Sequence, residues 1–147
     1  MTLRFVVVLA AVLSAACTID KSVWPVSRSE QITLLCIRNN PRVGMDDFQG
    51  ELVSQIRTRG IPAVVYDGAL PEACSHRLEY SADWSFAMAV YLSYLSIVVY
   101  RVEGDERIGD VIYDAAGGKA YIRFDKLGPT RSKLQAVIDE LFPQRGS

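Results

Sequence analysis

Histidine is nearly absent from this sequence, since His76 is the only one among 147 residues. A Ser-His-Asp or Cys-His catalytic set would therefore have to use His76. Zinc sites that need several histidine or cysteine ligands are equally poorly supported. His76 follows Cys74 and precedes an alternating pattern of residues, so we expect an exposed histidine at a loop end. The sequence predicts neither a metal site nor a cofactor.

An excess of positive charge is also missing. Lys and Arg total 16 against 17 Asp and Glu, which gives a net charge of −1. Nucleic acid is therefore not an expected partner, because phosphate binding requires concentrated positive charge. Asp105 and Glu106 lie in a predicted turn, which accounts for this acidic pair without a role as catalytic acid and base. Gly117-Gly118-Lys119 lacks the spacing of a phosphate-binding loop. We therefore expect a protein that is not an enzyme.

Apolar runs long enough to cross a bilayer, about 20 residues, are lacking as well. The run from Phe5 to Leu13 is short, follows the basic Arg4, and precedes small residues and Cys17. This is the layout of an export signal, and a cysteine after small residues resembles the lipobox of bacterial lipoproteins. We predict a signal peptide over residues 1–16 and attachment of fatty acids such as palmitate at Cys17. An ordinary secretory signal cut near Ala16 is the alternative.

Cysteine is scarce, with three in the chain. Lipidation of Cys17 would leave Cys36 and Cys74, an even number in an oxidising compartment, which predicts a structural disulfide. Their wide separation argues against a redox pair, because such pairs usually lie close together, as in Cys-x-x-Cys. Two free buried thiols remain as a further alternative.

The hydrophobic pattern predicts the fold class as α/β (α+β), with a single mixed sheet of about five strands. The predicted element order is β-α-β-β-β-β-α, with both helices packed on one face of the sheet. Residues 17–30 show no sustained period, so they are predicted to be a lipidated N-terminus and tether. Residues 31–143 then form the domain, and residues 144–147 a frayed tail.

Two apolar stripes have helical spacing. The first predicts a helix from about 45 to 59, and the second a helix from about 131 to 142 with Thr130 as its N-cap. The apolar runs 32–37 and 61–66 flank the first helix, which favours parallel strands. The remaining strands are predicted from strict alternation over 77–86, a run apolar on both faces over 87–102, and a hairpin return over 107–114.

Aromatic residues concentrate in the sheet half of the chain. If both helices cover one face, the central strand exposes one of two sets on the other face. These sets are Tyr91, Leu95 and Ile97, or Tyr94, Val98 and Tyr100. Such a patch would bind an envelope protein, lipid or a second copy in a homodimer, with Trp84, Tyr91 and Tyr94 as predicted binding residues. Core packing of the aromatic rings is the alternative.

The segment Ser81 to Tyr94, with Cys74 shortly before it, resembles a group of small proteobacterial lipoproteins. Shared features include an Ala-x-Trp segment, a Tyr-Leu-x-Tyr strand, a Tyr-Asp-Ala-Gly-rich turn at 113–118 and a final Leu-Phe-Pro at 141–143. The resemblance covers roughly residues 32–143 and implies a periplasmic α/β domain. No activity is established for that group, so the resemblance assigns no catalytic residues. More distantly, the element order is similar to the N-terminal domain of TolB and to outer-membrane lipoprotein activators of cell-wall synthases, an analogy of fold alone.

These observations predict a lipoprotein that faces the periplasm and binds or supports an envelope partner without catalysis. Thr18 follows Cys17, whereas an aspartate there would indicate inner-membrane retention, so the outer membrane is predicted. The alternative function is an inhibitor or immunity protein against a toxin or cell-wall hydrolase. That function would use a protruding loop such as 39–42 or 114–119.

Overall fold

A six-stranded mixed sheet carries two helices in the computed structural model, which describes residues 20–45, 47–87, 89–115 and 129–143. The predicted signal peptide, Cys17, the glycine-rich loop at 117–119 and the tail at 144–147 lie outside these residues. The elements are β1 Asp20–Trp24, β2 Leu35–Arg38, α1 Phe48–Thr58, β3 Ala63–Tyr66, β4 His76–Ala87, β5 Ala89–Arg101, β6 Glu106–Asp114 and α2 Thr130–Leu141.

The strand order across the sheet is β1-β6-β5-β4-β2-β3. β2 pairs in parallel with β3, as the short strand–helix–strand unit predicted. On its other side β2 also pairs in parallel with β4. The other pairs, β4–β5, β5–β6 and β1–β6, are antiparallel. The predicted fold class is confirmed, with one strand more than expected.

The extra strand is β1, which lies within the segment predicted to be a tether. Val23 pairs with Val111 of β6 and packs against the core. Val26 is buried, and its N–H donates to the Leu141 carbonyl at 2.9 Å. Residues 20–24, predicted to be part of the tether, therefore belong to the sheet. The sequence pattern hid β1 because only one side chain of this edge strand faces the core.

Both helices lie close to their predicted positions. α1 begins at Phe48 instead of residue 45, after Asp47, which has a left-handed φ of 67° and makes no side-chain cap. Gly60 follows α1 with φ of 75°, the conformation that favours glycine after a helix. Thr130, the predicted N-cap, is instead the first residue of α2, and Pro129 is the N-cap.

Both helices pack on one face of the sheet, which we call the helix face. Strand residues of this face are fully buried, among them Leu35, Leu78 and Ile97. The predicted stripe of α2 is buried against them: Leu134, Val137, Ile138 and Leu141. The opposite face, which we call the open face, carries Trp24, Arg77, Glu79, Tyr94, Val98, Tyr100, Arg107, Asp110 and Ile112.

A β-bulge at Ser93 changes the alternation of β5. Asp83 pairs with Tyr94, whereas Trp84 pairs with Leu92, so Ser93 has no opposite residue. Leu92 and Leu95 are consequently both buried although they are three positions apart. The bulge explains why a uniform period of two cannot assign the faces of this strand correctly.

The outer edge of β3 is covered at one position by a side chain. The carbonyls of Pro62 and Tyr66 accept hydrogen bonds from the Leu35 and Asn39 N–H groups, so the alternate carbonyl of Ala63 points away from β2. The Arg57 guanidinium donates two hydrogen bonds to that carbonyl, at 2.7 and 3.1 Å. An exposed edge is commonly protected by a charged side chain in this way.

The predicted disulfide joins Cys36 of β2 to Cys74, which precedes β4. The two Cα atoms are 5.8 Å apart, and both cysteines are buried beside Tyr66. The bond therefore fixes the start of β4 to its parallel neighbour, on the same side of the sheet as Arg77, with which Cys36 is paired in register.

Replacing both cysteines, as Cys36→Ala with Cys74→Ala, should lower the free energy of unfolding. The disulfide closes a loop of 38 positions, for which about 2–4 kcal/mol is expected from the restricted unfolded chain. Urea unfolding followed by circular dichroism measures this difference. Reductant should lower the midpoint of the native protein and leave that of the double variant unchanged. Equal midpoints for both proteins without reductant would contradict the structural role.

Candidate functional site

A partly buried polar cluster lies where β2, β4 and β5 meet, formed by Glu30, Ser75, His76 and Arg101 (the Glu30 cluster). His76 begins β4 and Arg101 ends β5, and the two residues are paired in register. His76 is 2% exposed, so the expectation of an exposed histidine at a loop end is wrong. It is buried because β4 already has a strand on each side at this position.

Hydrogen bonds connect the Glu30 cluster in one chain. His76 Nε2 lies 2.9 Å from Glu30 Oε1, and His76 Nδ1 lies 2.8 Å from Ser75 Oγ. Arg101 donates to both oxygens of Glu30, through Nε at 2.9 Å and Nη2 at 2.6 Å. This two-pronged contact is the strong form of an arginine–carboxylate pair.

The connectivity Ser75–His76–Glu30 is that of a catalytic triad, but the serine is already fully used. Ser75 Oγ accepts hydrogen bonds from the N–H groups of Thr33 and Leu34, each at 3.1 Å. It also lies 3.1 Å from the Leu34 carbonyl, within donating distance. A nucleophile needs an available lone pair facing a substrate, so this geometry supports a structural connection between β2 and β4.

Electrostatics of the Glu30 cluster favour a permanent ion pair. The hydrogen bond from Arg101 lowers the pKa of Glu30 to about 2, against the opposing effect of burial and with further help from His76. The same hydrogen bond raises the pKa of Arg101. The carboxylate is therefore ionised throughout the physiological range, without the raised pKa of a general acid.

The open face combines aromatic rings with paired arginines. The Arg77 guanidinium lies 4.1 Å from the centroid of the Tyr100 ring and forms an ion pair with Asp105. Although partial burial lowers it, the pKa of Arg77 is raised by the hydrogen bond and charge of Asp105. Arg107 lies 5.9 Å from the ring centroid of Trp24. Aromatic and arginine side chains are enriched at protein interfaces.

Of the two predicted aromatic sets, one lies on the open face. Tyr94, Val98 and Tyr100 are half-buried there, whereas Leu95 and Ile97 of the other set are fully buried on the helix face. Two exposed neighbours, Trp24 (52% exposed) and Ile112 (41% exposed), were not among the predicted binding residues. Ile112 alternates with Asp110 and Asp114 along β6, and this polar row is the signal that places Ile112 on the face away from the helices, although Asp110 itself is buried.

The three predicted binding residues do not share one surface. Trp84 packs edge-on against Phe48 with centroids 5.3 Å apart, and its Nε1 lies 3.5 Å from the Thr130 hydroxyl. Tyr91 packs against the core, with Lys133 Nζ 5.9 Å from its ring centroid. Trp84 and Tyr91 therefore hold the β4–β5 hairpin to the helices. Tyr91 does so although its pairing with Ser85 puts it on the Asp83 side of the ladder, and Tyr94 lies on the open face.

The β4–β5 hairpin ends in an exposed apolar tip. Phe86 and Val90 are opposite each other in the ladder, and they are 77% and 58% exposed. No helix or third strand of the described residues pairs with them. Hairpin ends are usually polar, so this tip is a second surface that core packing does not explain.

Two cavities of about 340 Å³ each are polar, and their side chains are largely paired internally. In one, Arg59 donates to the Phe142 carbonyl at 2.7 Å and pairs with Asp139. In the other, Gln49 donates to the Tyr80 hydroxyl at 3.1 Å, and Asn40 donates to the Tyr80 carbonyl. Neither cavity borders Ser75 or His76.

Among the described residues, no three His, Cys, Asp or Glu side chains are grouped as metal ligands would be. The described helices also include none whose length and apolar character would allow it to span a bilayer.

Replacing Glu30 by Gln should remove a pH-dependent part of the stability. The folded pKa of Glu30, about 2, lies below its unfolded value of 4.5. The ion pair therefore stabilises the fold fully above pH 4.5, and this contribution, reduced by solvent screening at the partly exposed Arg101, is lost as the pH falls toward 2. The difference in free energy of unfolding between native protein and Glu30→Gln, measured from pH 7 to pH 2, reports it.

Glu106→Gln is the matched control, because Glu106 also contacts Arg101 but is largely exposed. We expect this variant to follow the native pH profile closely. If the Glu30→Gln difference stayed constant over the whole pH range, the assigned ion pair would be wrong.

Solved structures share the fold of this chain. A PelC dodecamer from Paraburkholderia phytofirmans aligns with a TM-score of 0.56 and 8% identity, over 87% of this chain and 99% of that one. A PelC dodecamer with a point substitution, from the same organism, aligns with a TM-score of 0.48 and 9% identity, over 83% and 94%. No family model and no curated protein matches the sequence. The likeness to PelC is therefore one of fold, and the predicted resemblance to small lipoproteins stays a prediction.

Proposed function

We propose that this chain is an exported lipoprotein, anchored to the outer membrane through acylated Cys17, whose domain faces the periplasm. It acts without catalysis, by associating with further copies of itself through the open face. Cys17 and the signal peptide lie outside the described residues, so the anchor is argued from the sequence alone. The open face is argued from the structure.

The observation that carries this proposal is the composition of the open face. Both described helices pack on the other side, which leaves Trp24 and Ile112 in contact with solvent. Tyr94 and Tyr100 extend the same surface across β5, and Arg77 and Arg107 lie against its rings. Ser22, Ser81 and Ser96 lie in register with Ile112, so the surface mixes polar and apolar side chains. Aromatic and arginine side chains such as these are enriched at protein interfaces.

Self-association is favoured over a different partner by the fold. The solved structure that aligns with a TM-score of 0.56 is described as a dodecamer of PelC. A shared fold at 8% identity does not transfer an interface, but it supports asking first whether this chain also assembles. Closed symmetric assemblies are the usual form of such association.

The Glu30 cluster gives no support to an enzyme, because Ser75 is bound to backbone groups on both sides. An inhibitor that uses the loop 39–42 is also less well supported. The side chains of Asn39 and Asn40 are engaged inside the molecule, with Asp67 and the Tyr80 carbonyl. Most of the alternative loop at 114–119 lies outside the described residues.

The anchor is tested by comparing the native protein with Cys17→Ala in a Gram-negative host. We expect the native chain in the membrane fraction, starting at Cys17 with added acyl mass in intact-protein mass spectrometry. The variant should lack the acyl mass and lose its membrane attachment, since the sulfur is the attachment point. A native chain cut near Ala16 without acyl mass would contradict the anchor.

Association is tested with the double variant Trp24→Thr and Ile112→Thr, measured by light scattering of the acylated protein in detergent. Threonine keeps the strand propensity of these exposed positions, while the apolar contact is removed. We expect the dissociation constant of the assembly to rise by about tenfold or more, as for central interface residues.

Gln135→Thr, on the exposed side of α2, is the matched control and should leave the assembly unchanged. A native protein that remains monomeric at all concentrations would contradict self-association. A native assembly unaffected by the double variant would place the interface elsewhere.

A further inference from the structure

We propose that the tip of the β4–β5 hairpin, Phe86 with Val90, is a second point of contact with the membrane. This inference rests on the proposed anchor at Cys17. The tip would insert its side chains among the lipids of the bilayer to which the acyl chains are attached, and so fix the orientation of the domain at the surface.

The hairpin extends beyond the rest of the sheet. Tyr94 of β5 is the last residue at this end that pairs with β6, opposite Asp114. The β4–β5 ladder continues past the Asp83–Tyr94 pair as far as Ala87 and Ala89. Phe86 lies three residues beyond Asp83, which corresponds to roughly 10 Å along the strand.

The sequence of the hairpin suits an apolar environment. No charged residue occurs between Asp83 and Arg101. Phe86 and Val90 are the most exposed of the large apolar side chains described. An exposed tip of this composition in water is unfavourable unless it is buried by a partner or a lipid surface.

The path of the chain selects the lipid surface as that partner. β1 begins at Asp20, which pairs with Asp114, and Asp114 pairs with Tyr94. The start of β1 therefore lies at the end of the sheet from which the hairpin protrudes. β1 then runs away from that end, toward the pair of Trp24 with Asp110.

The reach of the anchor matches the reach of the tip. Cys17 is three positions before Asp20, so it lies within roughly 11 Å of the start of β1. The tip extends roughly 10 Å from the same row of residues. Two strands, β6 and β5, separate β1 from β4, so tip and anchor are roughly 14 Å apart across the sheet. Both can meet one bilayer surface together.

Charge determines the choice of lipid for the test. The row at the base of the hairpin contains Asp20, Asp83 and Asp114 in register, and Lys133 lies beside Tyr91. This mixed row gives no reason to require anionic lipid, so vesicles of phosphatidylcholine are the appropriate probe.

Two tryptophans at different heights make the geometry measurable. Trp84 is one residue beyond Asp83 toward the tip, whereas Trp24 is four residues from Asp20 in the opposite direction. Their heights along the sheet therefore differ by roughly 17 Å. Trp24→Phe retains Trp84 alone, and Trp84→Phe retains Trp24 alone.

The experiment uses the acylated protein in phosphatidylcholine vesicles whose acyl chains carry bromine, which quenches nearby indole fluorescence. We expect the fluorescence of Trp84 to be quenched at least about twofold more than that of Trp24. Adding Phe86→Ser and Val90→Ser to the Trp84 protein should reduce quenching to the level of Trp24. Co-flotation with vesicles should persist, because the acyl chains remain.

Val65→Ser in the Trp84 protein replaces another exposed apolar side chain, on β3 and away from the tip, and as the matched control it should leave the quenching unchanged. An acylated protein that floats with vesicles but shows no excess quenching of Trp84 overturns the inference and leaves the anchor intact. A tip variant that changes the mass of the assembly without changing the quenching assigns the tip to a second copy and also overturns it. A chain without acyl mass in mass spectrometry removes the anchor and this inference with it.

Discussion

The antiparallel ladder between β4 and β5 holds the two halves of this sheet together. On one side of it lie the parallel strands β2 and β3 with α1, and on the other side the antiparallel strands β6 and β1 with α2. The end of the ladder at the His76–Arg101 pair is fixed by the Glu30 cluster and, through Cys74, by the disulfide to β2. At its hairpin end, the contacts that fix it within the described part of the chain are those of Trp84 and Tyr91 with the helices. One ladder therefore provides a rigid base and a free tip.

The two faces of the sheet differ in what they require of the sequence. The helix face is filled by aliphatic side chains that are fully buried, so small changes of volume there would be costly. The open face carries rings and guanidinium groups that are already paired with each other, as Arg77 is with Tyr100. Such pairs keep an uncovered apolar surface compatible with water while leaving it able to bind. The proposed function follows from this difference between the faces.

Sequence periodicity predicted the parts of the fold in which one face is uniformly buried. The stripe of α2, the parallel strands around α1 and the disulfide belong to this group, because each depends on short-range patterns or on counting cysteines. The assignment of Tyr91 with Leu95 and Ile97 failed at Ser93, where a bulge shifts the alternation by one residue. β1 was missed because its partner β6 lies some ninety residues away, and a pairing of that kind leaves no local pattern. The burial of His76 also depends on a distant residue, since Glu30 is 46 positions before it.

The hydrogen bonds from Arg57 to the Ala63 carbonyl affect whether a strand of another copy can pair with the β3 edge of the sheet. A sheet that adds strands at its edge needs free carbonyl groups there, and one of the few that β3 offers is already occupied. Extension at this edge would first have to displace a guanidinium group. The fold thus discourages open-ended fibres, in which each copy continues the sheet of the last, and directs contact toward the broad surface of the sheet. Such protection of the edge favours finite assembly over open-ended aggregation.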